Sequence, residues 1–144
     1  MPLENLNHYL VLTDDLDGTR DFYVDVLGLR EGDRPPLNFA GYWAYVGDRA
    51  VVHIAERKGS QRPEGYYDKS LDDADTGAID HVAFEATGLK DMIARLHSHK
   101  IPVRHRKIPD LNLHQIFLED PNGVTIELNY PASEGAEIDL QPSE

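Results

Sequence analysis

The chain has 144 residues, a length that suits one domain or two very small fused units. Its 40% apolar content is too high for a disordered chain. Its 14 Lys and Arg against 26 Asp and Glu give −12 at pH 7, a charge that disfavours nucleic acid and anionic membrane surfaces as partners. Cysteine is absent, which excludes disulfides, thiolate nucleophiles and Cys-ligated zinc and leaves His and carboxylates for any metal or acid–base chemistry. The opening MPLENLNHYL lacks the basic and apolar regions of a signal peptide, and no apolar run is long enough to cross a bilayer, so a cytoplasmic location is expected.

Taken in chain order, residues 6–12 alternate as a strand, with Leu6, His8, Leu10 and Leu12 on one face and Asn7, Tyr9 and Val11 on the other. Asp14 and Asp15 offer caps for an amphipathic helix to about Leu27, with Leu16, Phe22, Tyr23, Val26 and Leu27 on its apolar stripe and Gly28 as its stop. Beyond a loop at Pro35-Pro36, two short strands at 40–46 and 50–55 are joined by a turn at Gly47-Asp48-Arg49. Residues 58–78, rich in Gly, Pro and acids, read as a connector. The order then repeats: a strand at 79–85, a helix capped by Thr87 and running to about His99, a strand at 103–108, and a hairpin of 113–118 with 124–130 around Asp120-Pro121-Asn122-Gly123. Residues 131–144 carry four acids and no base, and a loose acidic tail is expected.

Each half therefore reads β-α-β-β-β. Module 1 covers about 3–57 and module 2 about 79–130, and the offset is 73 residues from His8 to His81 and 74 from His53 to Glu127. Neither half is large enough to bury its own sheet face, so the two are expected to fold together as a single domain. Strand parity puts Ala44, Val46, Val52, Ile54, Ile116, Leu118, Ile126 and Leu128 under the helices, and leaves Trp43, Tyr45, Val51, His53, Thr125, Glu127 and Asn129 on the opposite face. A hairpin through Asp120–Gly123 would set Gln115 opposite Glu127 and Phe117 opposite Thr125. Four metal-capable side chains, His8, His53, His81 and Glu127, thus fall at duplicated positions on the face away from the helices. Such a set suits Zn²⁺, Fe²⁺, Ni²⁺, Co²⁺ or Mn²⁺, and with His53 left out it becomes a two-His-one-carboxylate triad with open coordination positions.

Three segments, LNHYLVLTDDLDGTRDFYVDVLGL, IDHVAF and LHQIFLEDPNGVTIELNY, make residues 3–130 resemble the vicinal oxygen chelate superfamily, the glyoxalase, bleomycin-resistance and extradiol-dioxygenase group. The resemblance implies an α+β fold of two tandem βαβββ modules forming a U-shaped mixed sheet around a metal and substrate cavity. It implies His8, His53, His81 and Glu127 as ligands, Glu127 as a proton shuttle, a small-molecule substrate held through two oxygens, and a homodimer. His53 stands where lactoylglutathione lyases carry Glu or Gln, and Phe117 where ring-cleaving dioxygenases carry a catalytic Tyr. Three activities follow from the resemblance: a metal-dependent lyase or isomerase, an Fe²⁺ dioxygenase, and a small-molecule binding or resistance protein without catalysis.

Trp43, Tyr45 and Phe117 share the cavity face and are candidates to flank a substrate, and Gln115 to orient Glu127 or a substrate oxygen. His105 is expected at the surface beside Arg104, Arg106 and Lys107, and His114, on the helix side, in a structural role. His97 and His99 lie on different helix faces. Arg20, Arg30 and Arg57 are candidates to hold an anionic substrate, with an ordinary surface position as the default for each.

Overall fold

The computed structural model describes residues 5–57, 76, 79 and 81–139. The chain divides into two compact units, residues 1–70 and 71–144. Most of the expected connector, 58–78, lies outside the described residues. No described helix is long and apolar enough to cross a membrane.

Unit 1 runs β1 (Tyr9–Thr13), α1 (Leu16–Asp21), β2 (Arg30–Gly32), β3 (Gly41–Val46) and β4 (Arg49–Glu56). Its mixed sheet has the order β1-β4-β3-β2, with β1 parallel to β4 and the other pairs antiparallel. Asp15 caps α1, its carboxylate accepting the Gly18 N–H at 3.1 Å. The long helix expected to Leu27 is instead one and a half turns of α-helix followed by a π-helical turn, Phe22–Val26, closed by the Leu27 N–H donating to the Phe22 carbonyl at 3.0 Å. Phe22, Tyr23, Val26 and Leu27 are all buried along this segment, the face the sequence stripe assigns them. Gly28, at φ 88°, ends the segment as expected. Under it the sheet buries Val11, Thr13, Ala44, Val52 and Ile54. Two expectations fail at the rim. Leu6 is 81% exposed and precedes β1, and Val46, the last residue of β3 at the hairpin end, is 51% exposed.

Unit 2 repeats the order with β5 (His81–Glu85), α2 (Leu89–Ser98), β6 (Arg104–Ile108), β7 (Leu113–Glu119) and β8 (Thr125–Pro131), in a sheet of order β5-β8-β7-β6. Leu89 and Leu96 bury one face of α2, while Ile116, Leu118, Ile126, Leu128 and Tyr130 fill the helix side of the sheet. The hairpin register differs from the expected one by two residues: Gln115 faces Asn129 and Phe117 faces Glu127. The reason is the turn. Asp120 accepts the N–H groups of Asn122 and Val124 with one carboxylate oxygen, and its own N–H donates to the Val124 carbonyl, so Pro121–Gly123 form the loop and Gly123 takes φ 84°. A shift of two keeps every side chain on its expected face.

Thr87 does not cap α2. Gly88 holds the N-cap position at φ 83°, and the Glu134 carboxylate accepts the N–H groups of both Gly88 and Leu89 at 2.9 Å. A carboxylate there also meets the positive end of the helix dipole. This contact corrects the loose-tail expectation: Ala132–Gly135 form a 3-10 turn against β7 and β8, with Gly135 buried beside the His114 ring. Residues 140–144 lie outside the described residues.

His114 is fully buried, as its helix-side parity implies, and a ring nitrogen hydrogen-bonds His105 at 2.9 Å. His105 is therefore half-buried rather than at the surface. Burial, with the neighbouring His105 and Lys107 charges, pushes the His114 pKa below the usual histidine range. The folded state thus binds fewer protons than the unfolded chain below the ordinary histidine pKa of about 6.5. Stability held by neutral His114 is complete above that pH and is lost as pH falls through it. Following the His114 ring resonances by NMR is expected to show a midpoint below the ordinary histidine value of about 6.5. A midpoint at or above that value would contradict the burial argument.

Candidate functional site

In module 1 the ligand candidates meet as a stack. The rings of His8 and His53 lie 3.7 Å apart and 11° from parallel, and Trp43 stacks on His53 at 4.0 Å and 11°. The register explains the contacts: Leu10 and Trp43 flank His53 on the two neighbouring strands, and His8 lies two residues before Leu10 on the same face. His8 Nδ1 contacts Asn7 Oδ1 at 2.8 Å, an oxygen that can only accept, so Nδ1 is the donor. Burial pushes His53 down to about 4, helped by the His8 and Arg34 charges and opposed by the Ala50 backbone, so at neutral pH its ring is the uncharged form that binds metals. The stacked rings carry their in-plane lone pairs side by side. Binding one ion in common requires one ring to rotate.

These residues line a cavity of about 670 Å³ that also includes Arg34, Phe39 and Tyr45. Tyr45 donates its hydroxyl to the Asp33 carbonyl at 2.6 Å and carries the Arg30 guanidinium over its ring, so its phenol is already engaged.

In module 2, His81 Nε2 lies 3.3 Å from Glu127 Oε1. Two donors at about 2.0–2.2 Å from one ion, at octahedral or tetrahedral angles, stand roughly 2.8–3.6 Å apart, so this pair has the separation of co-ligands. The other Glu127 oxygen accepts from Asn129 Nδ2 at 2.8 Å, and Asn129 Oδ1 accepts from Gln115 Nε2 at 2.9 Å. The carboxylate can only accept, so it fixes the orientation of both amides in turn. Gln115 thus acts on Glu127 through Asn129, not directly as the expected register had it. Gln115 Oε1 is buried and finds no hydrogen-bond partner among the described residues. Phe117 meets His81 edge-on at 6.4 Å, with the Arg104 guanidinium over its ring. Among the described residues no group of three or more His, Asp or Glu converges as a ready-made cage; within each module two of the candidates lie together.

The three arginine candidates, Arg20, Arg30 and Arg57, are otherwise engaged. Arg20 pairs with Asp21 and Glu31, Arg57 with Asp14, and Arg30 with Tyr45 and the Gly47 carbonyl. The arginines that line the cavity are instead Arg34, in a loop where periodicity assigns no face, and Arg49, neither of which the sequence singles out. Asn129 had a sequence signal, two residues from Glu127 on one strand face.

Two βαβββ modules, each with a four-stranded mixed sheet bearing metal-capable residues on the face away from its helix, make the glyoxalase-like α+β fold. The chain belongs to the glyoxalase, bleomycin resistance protein and dioxygenase superfamily, whose family model matches residues 5–128. It is 28% identical over 129 residues to a protein named Glyoxylase I 4 from Arabidopsis thaliana, covering 88% of this chain and 70% of that one. A lactoylglutathione lyase structure from Agrobacterium tumefaciens matches with TM-score 0.65 and 21% identity over 93% of this chain and 98% of the other. An antibiotic binding protein, TnmS3 from Streptomyces sp. CB03234, matches with TM-score 0.64 and 19% identity over 91% and 98%.

Proposed function

We propose that the protein is a metal-dependent enzyme of this superfamily that performs lyase or isomerase chemistry on a small organic substrate bound through two oxygens. The proposed donors are His8 and His53 of module 1 and His81 and Glu127 of module 2. The observation that carries the reading is the His81–Glu127 pair at 3.3 Å, with its carboxylate held from behind by Asn129. A divalent ion held there supplies Lewis acidity that stabilises negative charge on a substrate carbonyl or enol oxygen. Glu127 takes a proton from the carbon beside that oxygen and returns it. Asn129 holds Oε2 while this happens, and Oε1 acts as the base only when substrate displaces it from the metal. Trp43, Tyr45 and Phe117 line the substrate, and the working form is a homodimer.

The test is metal analysis of protein purified without added metal, followed by turnover of a 2-oxoaldehyde–thiol adduct before and after chelation. Stoichiometric metal and chelator-sensitive turnover are expected. Oxygen uptake with catechols or keto acids would move the assignment to the Fe²⁺ dioxygenase branch. A metal-free protein that binds small molecules stoichiometrically would support the second reading, a binding protein without catalysis. That reading is favoured by the stacking of His8, His53 and Trp43, which presents a flat aromatic surface rather than converging lone pairs.

A further inference from the structure

We infer that the module 1 cavity is a subsite for a planar aromatic carboxylate, with Arg34 binding the carboxylate and Trp43 the ring. The inference rests on reading this cleft as the substrate side of the proposed site. It specifies the ligand class, which neither the ligand set nor the family assignment does.

Arg34 is built in place. Its Nη2 donates to the Phe39 carbonyl at 2.7 Å, and its guanidinium lies over the Phe39 ring, 5.1 Å from the centroid. Phe39 is itself buried. Gly41 leaves the room this needs: a Cβ there would meet the guanidinium at 3.0 Å and the Ile54 carbonyl closer still. The side chain is therefore ordered before any ligand arrives, which lowers the entropy cost of binding. One N–H of Nη2, both of Nη1 and that of Nε remain for an acceptor.

Arg34 has no carboxylate partner among the described residues, although the chain carries 26 acids against 14 bases. A partly buried guanidinium without a counter-charge is costly to hold, and an anionic ligand removes that cost. A carboxylate or similar planar anion matches its fork with two parallel hydrogen bonds. The rest of the wall selects the other end of the ligand. Trp43 is half-buried against His53 and lines the same cavity, together with apolar Leu37 and Phe39, so a flat ring gains stacking and area burial there. An aliphatic anion would gain less, and a neutral aromatic would leave Arg34 unpaired.

The chain contains one tryptophan, so its indole N–H gives a single resonance that reports on this cavity alone. Isotope-labelled, chelator-treated full-length protein is titrated with 2-naphthoate, with the neutral 2-naphthylmethanol and with cyclohexanecarboxylate. Chelation removes any dependence on metal, so failure of the metal assignment leaves this result readable. Conversely, stoichiometric metal without naphthoate binding would overturn the subsite alone. A saturable shift of the Trp43 resonance is expected with 2-naphthoate, with binding at least about tenfold tighter than for either comparator. Arg34→Gln should weaken 2-naphthoate by about ten- to a hundredfold and leave 2-naphthylmethanol unchanged, while Arg49→Gln, at the other cavity arginine, stays within about twofold of wild type. If no saturable shift appears, if charged and neutral naphthalenes bind alike, or if the loss follows Arg49 instead, the inference is wrong. The comparison of ligands on the unaltered protein decides the matter even if the Arg34 variant fails to fold.

Discussion

Glu127→Gln is expected to weaken divalent-metal binding by more than about a hundredfold while leaving the melting temperature within a few degrees of wild type. The separation of the two effects comes from the local hydrogen bonds. Asn129 Nδ2 donates to one Glu127 oxygen, and a glutamine can accept that bond with its own carbonyl oxygen, so β8 keeps its register and the side chain its rotamer. What disappears is the negative charge facing His81 Nε2. A neutral amide oxygen is a far poorer ligand for a divalent ion than a carboxylate, and an amide nitrogen turned toward His81 is no ligand at all. Titration of Zn²⁺ or Ni²⁺ into chelator-treated wild-type and variant protein, beside thermal melts of both, measures the two quantities. Equal metal affinity would remove Glu127 from the proposed ligand set.

Gly135→Ala is expected to destabilise unit 2 by about 1–3 kcal/mol, an effect read as a fall of several degrees in the melting temperature. Gly135 lies in the 3-10 turn after β8, buried, and a Cβ added there would fall inside contact distance of the His114 ring. The ring cannot swing aside cheaply. It is fully buried, and one of its nitrogens is bonded to His105 at 2.9 Å. The turn must therefore lift, and with it the Glu134 carboxylate that caps α2 through the Gly88 and Leu89 N–H groups. A cap of this kind stabilises a helix by about 1 kcal/mol, so partial loss adds to the steric cost. A variant melting like wild type would show that the turn and α2 are not coupled.

These two residues differ in how far the sequence reveals them. Glu127 and its partners were legible because a strand has a strict period of two and a duplicated module repeats its faces. Parity alone put His8, His53, His81 and Glu127 away from the helices, and the observed stacking of His8 on His53 and the approach of His81 to Glu127 agree with that parity within each module. The two-residue error in the hairpin register did no harm to the faces. It did hide the role of Asn129, since the exact partner across a ladder depends on how Asp120 closes the turn. Gly135 was illegible for another reason. An acidic, base-free C-terminal stretch looks unanchored by composition, and only the folded chain reveals that one of its carboxylates caps a helix 46 residues earlier.

The sequence by itself therefore determined the family, the repeated βαβββ order, the helix-facing core and the ligand candidates, because periodicity and duplication are local properties written directly in the residue order. The tertiary structure alone decided the π-helical turn at Phe22–Val26, the docking of Ala132–Gly135, the stacking of two imidazoles on an indole, and the placing of Arg34 in an aromatic cleft. Each of these depends on contacts between residues distant in sequence or on loop geometry, where no period exists to reveal which way a side chain faces. The −12 charge says least of all about the cavity, whose walls include an arginine free of carboxylate partners among the described residues.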